Sequence, residues 1–233
     1  MTMNLIAICE VGKTDRDETL YPSFDTDGEV ILEPDEETLW TGEAQLMQAK
    51  QPEGSKIWAL PASAEIIATD QRLIYSCWKY DKGATWSGTS VTAQVLTAGS
   101  RMHAVARRRG KVAAGQVRYQ WPMNVIYSIN RTLVGTVSYV LLTCQVGQQN
   151  VGLRLEVDRH VGAELSELLV RAIARYRLGH EYSGKNGPDT EGRRRLQEHA
   201  AKPTIDDEKA MRGGRTEISL YRLPGALKVP GLR

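Results

Sequence analysis

The 233 residues are 41% hydrophobic and 25% charged, with a net charge of +2, a balance that supplies a sizeable core in one large domain or a domain plus tail. It excludes a wholly disordered, collagen-like or disulfide-stapled chain. The three cysteines, Cys9, Cys77 and Cys144, have no paired spacing, which favours small buried thiols and a cytoplasmic, reducing setting.

Charge is unevenly spread. Residues 1–60 carry a net −9, residues 61–178 a net +8 and residues 179–233 a net +3. An acidic leader and a basic body attract each other within a fold or between subunits. Met1 to Ala7 lacks a basic start and Glu10 soon interrupts the apolar run, so no secretory leader is expected. Residues 1–29 read as an acidic N-terminal leader.

Strands follow. Glu43 to Ala49 is a strand candidate. Glu65 to Thr69 and Leu73 to Lys79 read as a hairpin around the short turn Thr69-Asp70-Gln71-Arg72. Leu73 and Tyr75 point one way and Arg72 and Ile74 the other. Asp70 is expected to bond nearby backbone amides. Ser90 to Leu96 is a further strand candidate.

Residues 97–115 read as a long connection. It holds Arg107-Arg108-Arg109-Gly110-Lys111, with Arg101 and His103 nearby. Such a basic loop suits a phosphate-bearing ligand, an anionic lipid or nucleic acid. It equally suits the acidic leader of the same or another subunit.

Val117, Tyr119 and Trp121 alternate with Gln116, Arg118 and Gln120, a period of two. Residues 132–153 carry no charge and are long enough to span a bilayer. Thr132, Ser138, Thr143, Gln145, Gln148, Gln149 and Asn150 make that span too polar for a helix, so two strands joined at 147–150 are expected. Val140, Leu142, Cys144 and Val146 share one strand face. Val151, Leu153, Leu155 and Val157 share another.

The period then changes. Val161, Leu165, Leu168, Leu169, Ala172, Ile173 and Tyr176 lie on one helical stripe. Asp158 is placed to cap it, Arg171, Arg175 and Arg177 crowd its end, and Gly179 follows as a stop. Beyond it, Ser183 to Pro188 is linker-like, and Thr190 to Ala201 reads as a short helix capped by Thr190. Residues 180–233 are expected to be a flexible or partner-ordered tail. Within it, Thr216 to Leu223 is suited to adding to a sheet edge of its own or another subunit through Ile218, Leu220 and Tyr221.

The chemical motifs are weak. Gly179 to Lys185 matches G-x-x-x-x-G-K, but Asn186 replaces the magnesium-binding Ser or Thr, and the loop follows a helix instead of a strand. His103, His160, His180 and His199 form no zinc pattern. No G-x-S-x-G elbow occurs. A protein without catalytic residues, metal or cofactor is therefore expected. Trp78 and Trp121 are assigned to the core, and Trp58 and Trp86 to more exposed positions. With Phe24 the single phenylalanine and aromatics at 6%, stacking platforms for single-stranded nucleic acid are few.

Several short strands closed by one long helix suggest a small antiparallel β-sandwich or open barrel, mainly β, capped by that helix. Leu32-Glu33-Pro34-Asp35-Glu36 with Leu39 to Ala44, the Thr69-Asp70-Gln71-Arg72-Leu73-Ile74-Tyr75 hairpin, Tyr119 to Ile126 and the helix Val161 to Leu178 together resemble the bacterial pleckstrin-homology-like (PH-like) families, including their GRAM-like relatives. The resemblance covers roughly residues 30–178, so a domain over 30–179 is expected. It departs in the long 80–115 connection and in the tail. It implies a binding fold with no shared catalytic residues. The expected partner is a protein or a second copy of the chain. An anionic membrane surface or phosphate-bearing ligand, contacted by Arg101, Arg107, Arg108, Arg109 and Lys111, stands second. Nucleic acid stands third.

Overall fold

The computed structural model describes residues 6–13, 20–50, 57–77, 85–86, 110–132, 135–146, 149–180 and 188–220. The protein is mainly β, with a long helix after the strands. The chain divides into two units, one within Met1–Gln48 and Ser55–Arg118, the other within Ala49–Gly54 and Tyr119–Arg233. The boundary after Arg118 falls inside the 30–179 span.

The first unit is an antiparallel sheet. Its strands are β1 (Ala7–Glu10), β2 (Thr38–Lys50, in this unit as far as Gln48), β3 (Ile57–Thr69), β4 (Arg72–Cys77) and β6 (Lys111–Arg118), with the two-residue β5 (Thr85–Trp86) beside β3. The order is β1-β6-β4-β3-β2. The β3–β4 hairpin matches the expected one, pairing Ile66 with Tyr75 and Ala68 with Leu73.

One expectation is corrected here. Lys111 to Gly115 belongs to β6, not to the preceding connection. Val112 to Val117 are all buried, so no wet face leaves an alternating pattern to read. Trp86 lies on β5 opposite Ile57, and Trp58 on β3 opposite Thr85. The leader also enters the fold: Cys9 on β1 pairs with Val112, and Phe24, 1% exposed, packs with Cys9, Val112 and Ala114. Trp78 and the Ser90–Leu96 segment lie outside the described residues.

The second unit is a three-strand antiparallel meander, β7 (Pro122–Thr132), β8 (Gly135–Val146) and β9 (Gln149–Asp158), followed by the helix α1 (Arg159–Gly179). Tyr127 faces Val140, and Leu142 faces Leu153. These side chains form the apolar face on which α1 lies, burying Leu165, Leu169, Ala172 and Ile173. Asp158 caps α1 as expected, its Oδ1 accepting from the His160 amide at 3.1 Å. The strand read through Trp121 ends sooner, since β6 stops at Arg118 and a turn intervenes.

At Gly162 α1 lies close against β8. A Cβ there would lie 2.3 Å from Ser138 Cβ and 3.0 Å from Tyr127 Cε2. Only a residue without a side chain lets the backbone approach this far.

Within 188–220, the chain forms α2 (Thr190–Ala201), α3 (Asp207–Met211) and β10 (Arg215–Ser219). The cap of α2 is Asp189, not Thr190: Asp189 Oδ1 accepts from Gly192 N at 2.7 Å, and Thr190 is already helical. A carboxylate one position earlier reaches the third amide and also suits the positive helix end. α2 packs on α1. Ala210 of α3 packs with Tyr127 and Ile129, and the Tyr127 hydroxyl donates to Asp207 Oδ1 at 2.7 Å. β10 pairs antiparallel with β7, Ile218 opposite Val125 and Thr216 opposite Tyr127. The order in this unit is β9-β8-β7-β10.

Candidate functional site

The Thr69–Arg72 turn gathers the acidic lead in the first unit. Thr69 Oγ1 accepts the amides of Gln71 (3.1 Å) and Arg72 (3.0 Å), so the threonine hydroxyl holds the turn. Asp70 reaches further than expected. Its Oδ1 accepts from the Glu37 amide at 2.9 Å, and its own amide donates to the Glu37 carbonyl at 3.0 Å.

Arg72 donates from Nε to Glu36 Oε1 (2.8 Å) and from Nη2 to Glu36 Oε2 (2.7 Å). The Thr69 hydroxyl and the Glu33 amide add hydrogen bonds to the same carboxylate. Burial alone pushes the Glu36 carboxyl up. The hydrogen bonds from Arg72, Glu33 and Thr69, with the charge of Arg72, outweigh it and hold the group below its ordinary value. Arg118 pairs with Glu33 at 2.6 Å. The acidic leader and basic body thus meet inside one unit, and these residues act as a clamp on the segment before β2.

Of the anticipated basic contacts, only Lys111 lies among the described residues; Arg101, Arg107, Arg108 and Arg109 lie outside them. Lys111 is exposed at the start of β6, and its Nζ sits 3.7 Å from the Glu10 carboxylate. The second basic run is on α2. Arg194 and Arg195 pair with Glu191, and Arg194 also with Glu198. Hydrogen bonds from Arg194 and Arg195 hold the Glu191 carboxyl down at about 2.

Ile218 and Leu220 are 7% and 2% exposed on the β10 side of the second unit, and Tyr221 lies outside the described residues. The Leu220 amide donates to the Met123 carbonyl at 2.7 Å. The opposite side chains of β10 face water. Arg215 and Glu217 are 68% and 38% exposed and lie 3.2 Å apart, and Asn124 Nδ2 donates to Glu217 at 3.0 Å. No strand among the described residues follows β10 in the sheet order. This exposed edge, with its alternating charges, is the candidate interaction site.

Other described groups are committed to structure. Cys9, Cys77 and Cys144 are buried, and burial pushes the Cys77 and Cys144 thiols up to about 12, far from the thiolate that nucleophilic chemistry needs. Arg154 stacks on Tyr139 with its Cζ 3.6 Å from the ring centre and lies 3.9 Å from Glu156. Among the described residues no cluster of His, Cys, Asp and Glu could hold a metal ion, and no helix is long and apolar enough to cross a membrane.

Sequence reasoning missed Arg177. It reads as one of three basic residues at a helix end, yet it is 1% exposed. Nε donates to the Tyr119 carbonyl (2.8 Å) and Nη2 to the Pro122 carbonyl (2.6 Å). Its place on the apolar stripe, one step after Tyr176 and four after Ile173, is the signal that could have found it. No family model, curated protein or solved structure matches this chain.

Proposed function

We propose that this is a non-enzymatic scaffold whose fold is of the PH-like kind and whose work is to hold a protein partner or another copy of itself. The observation that carries the reading is the charged edge of β10, a short strand beyond which no other described strand follows in its sheet order. Unpaired strand edges template the addition of another strand. Three features support the PH-like reading: an antiparallel β6-β4-β3-β2 set, a β7-β8-β9 meander, and one helix following the last strand of that meander. The Thr69–Arg72 motif falls at the hairpin where the resemblance puts it.

The anionic-ligand reading rests on Arg101, Arg107, Arg108 and Arg109, since Lys111 already faces Glu10. Light scattering of the full chain, with co-sedimentation on vesicles rich in anionic lipid, separates the two. The scaffold reading expects a defined oligomer or heterocomplex and no vesicle binding. Vesicle binding that rises with anionic lipid and disappears when Arg107, Arg108 and Arg109 are changed to Ala would replace it with a membrane module.

A further inference from the structure

The direction of one hydrogen bond determines which backbone groups of β10 turn away from β7. In an antiparallel pair each residue turns both its N–H and its C=O to the same neighbour, and the next residue turns them the other way. The Leu220 amide donates to β7 at Met123, and the register continues as Ser219 opposite Asn124, Ile218 opposite Val125 and Thr216 opposite Tyr127. Ile218 and Thr216 therefore also turn their backbone groups to β7. Arg215, Glu217 and Ser219 turn theirs outward, to the side where no described strand follows.

An added strand must meet these groups with outward-facing groups of its own. For a second copy of β10, antiparallel and related by a two-fold axis, this forces the axis onto a residue and not between two. Centring on Arg215 or Glu217 sets like charges opposite each other. Centring on Ile218 leaves both charges without a counterpart. Centring on Thr216 sets Arg215 of one copy opposite Glu217 of the other, and the symmetry repeats the pair. Both side chains are exposed, so neither must leave the core.

We infer that two copies of this chain associate through their β10 edges, antiparallel about a two-fold axis at Thr216, with Arg215 of each copy opposite Glu217 of the other. This inference rests on the self-association reading above and gives it a surface and a register. The edge is short, so the dimer is a weak, concentration-dependent one.

Sedimentation equilibrium of the full chain at low salt tests it, with Arg215→Glu, Glu217→Arg and the double variant carrying both changes. Each single change sets like charges opposite one another twice per dimer, and should weaken dimerisation about tenfold. The double variant restores opposite charges and should return close to the original. Circular dichroism melts of the double variant should match the parent, and those of the two singles should fall only by the small loss of the exposed Arg215–Glu217 pair within the chain. Dimerisation that ignores the single changes, or singles that weaken it without rescue by the double, overturns the β10 register and leaves self-association standing. A chain that stays monomeric at every concentration overturns the inference and the self-association reading together.

Discussion

Arg72 holds Glu36 across 36 positions of sequence with two hydrogen bonds, at 2.8 and 2.7 Å, and the two side chains are 3% and 0% exposed. A desolvated pair of this kind contributes little over an apolar pair of the same shape, but removing one partner strands a buried charge. Arg72→Met or Glu36→Leu alone should therefore destabilise the protein by about 3 kcal/mol. The double change should recover much of that loss. Urea unfolding midpoints for the two singles and the double check it; additive losses would show that the two residues act separately.

The same carboxylate sets an acid limb. Its pKa is lowered in the folded state, so its contribution is present above the ordinary value of 4.5 and is lost as pH falls through the folded pKa. Melting temperature measured downward from neutral pH should drop on that limb. Glu36→Gln should start lower and drop less steeply there. An unchanged slope in the variant would assign the acid limb to other groups.

Gly162 and Gly179 lie on the same helix and should respond oppositely to alanine. At Gly162 the new Cβ meets Ser138, and the overpacking should cost about 2 kcal/mol. At Gly179 a Cβ meets nothing within 4 Å, and the reduced freedom of the unfolded chain should stabilise by about 0.5 kcal/mol. Thermal melts of the two variants decide this by sign alone.

Arg177 ties the end of α1 to the turn between β6 and β7. Arg177→Met keeps the apolar stem and leaves the Tyr119 and Pro122 carbonyls without the guanidinium, a loss of about 3 kcal/mol. Arg177→Lys should fall between the two, because an ammonium cannot spread donors over both carbonyls as the planar fork does. Hydrogen exchange at the amides around residues 119–122 should quicken in both variants. Exchange that stays slow would mean that the turn holds itself.

The cysteines offer a direct check on packing. With Cys77 and Cys144 pushed up to about 12 and all three thiols buried, the folded protein should resist a maleimide near neutral pH and react fully in denaturant. Rapid labelling of the native chain would place a thiol at the surface.

The amino-acid pattern by itself determined the β3–β4 hairpin, β8, β9 and α1 with its Asp158 cap. Each is specified by neighbours within a few positions: a turn between two apolar runs for the hairpin, a period of two along β8 and β9, a period near four along the helix, and a carboxylate beside free amides. Only the tertiary structure decided that Asp70 bonds Glu37, that Arg72 finds Glu36, that Arg177 is buried, and that Ile218 and Leu220 seat β10 beside β7 in the same chain. It also revealed β6 from Lys111, where burial on both faces erases alternation. An ion pair or a sheet edge joins residues far apart in sequence, and a charged side chain looks alike in sequence whether it ends in water or against a buried partner.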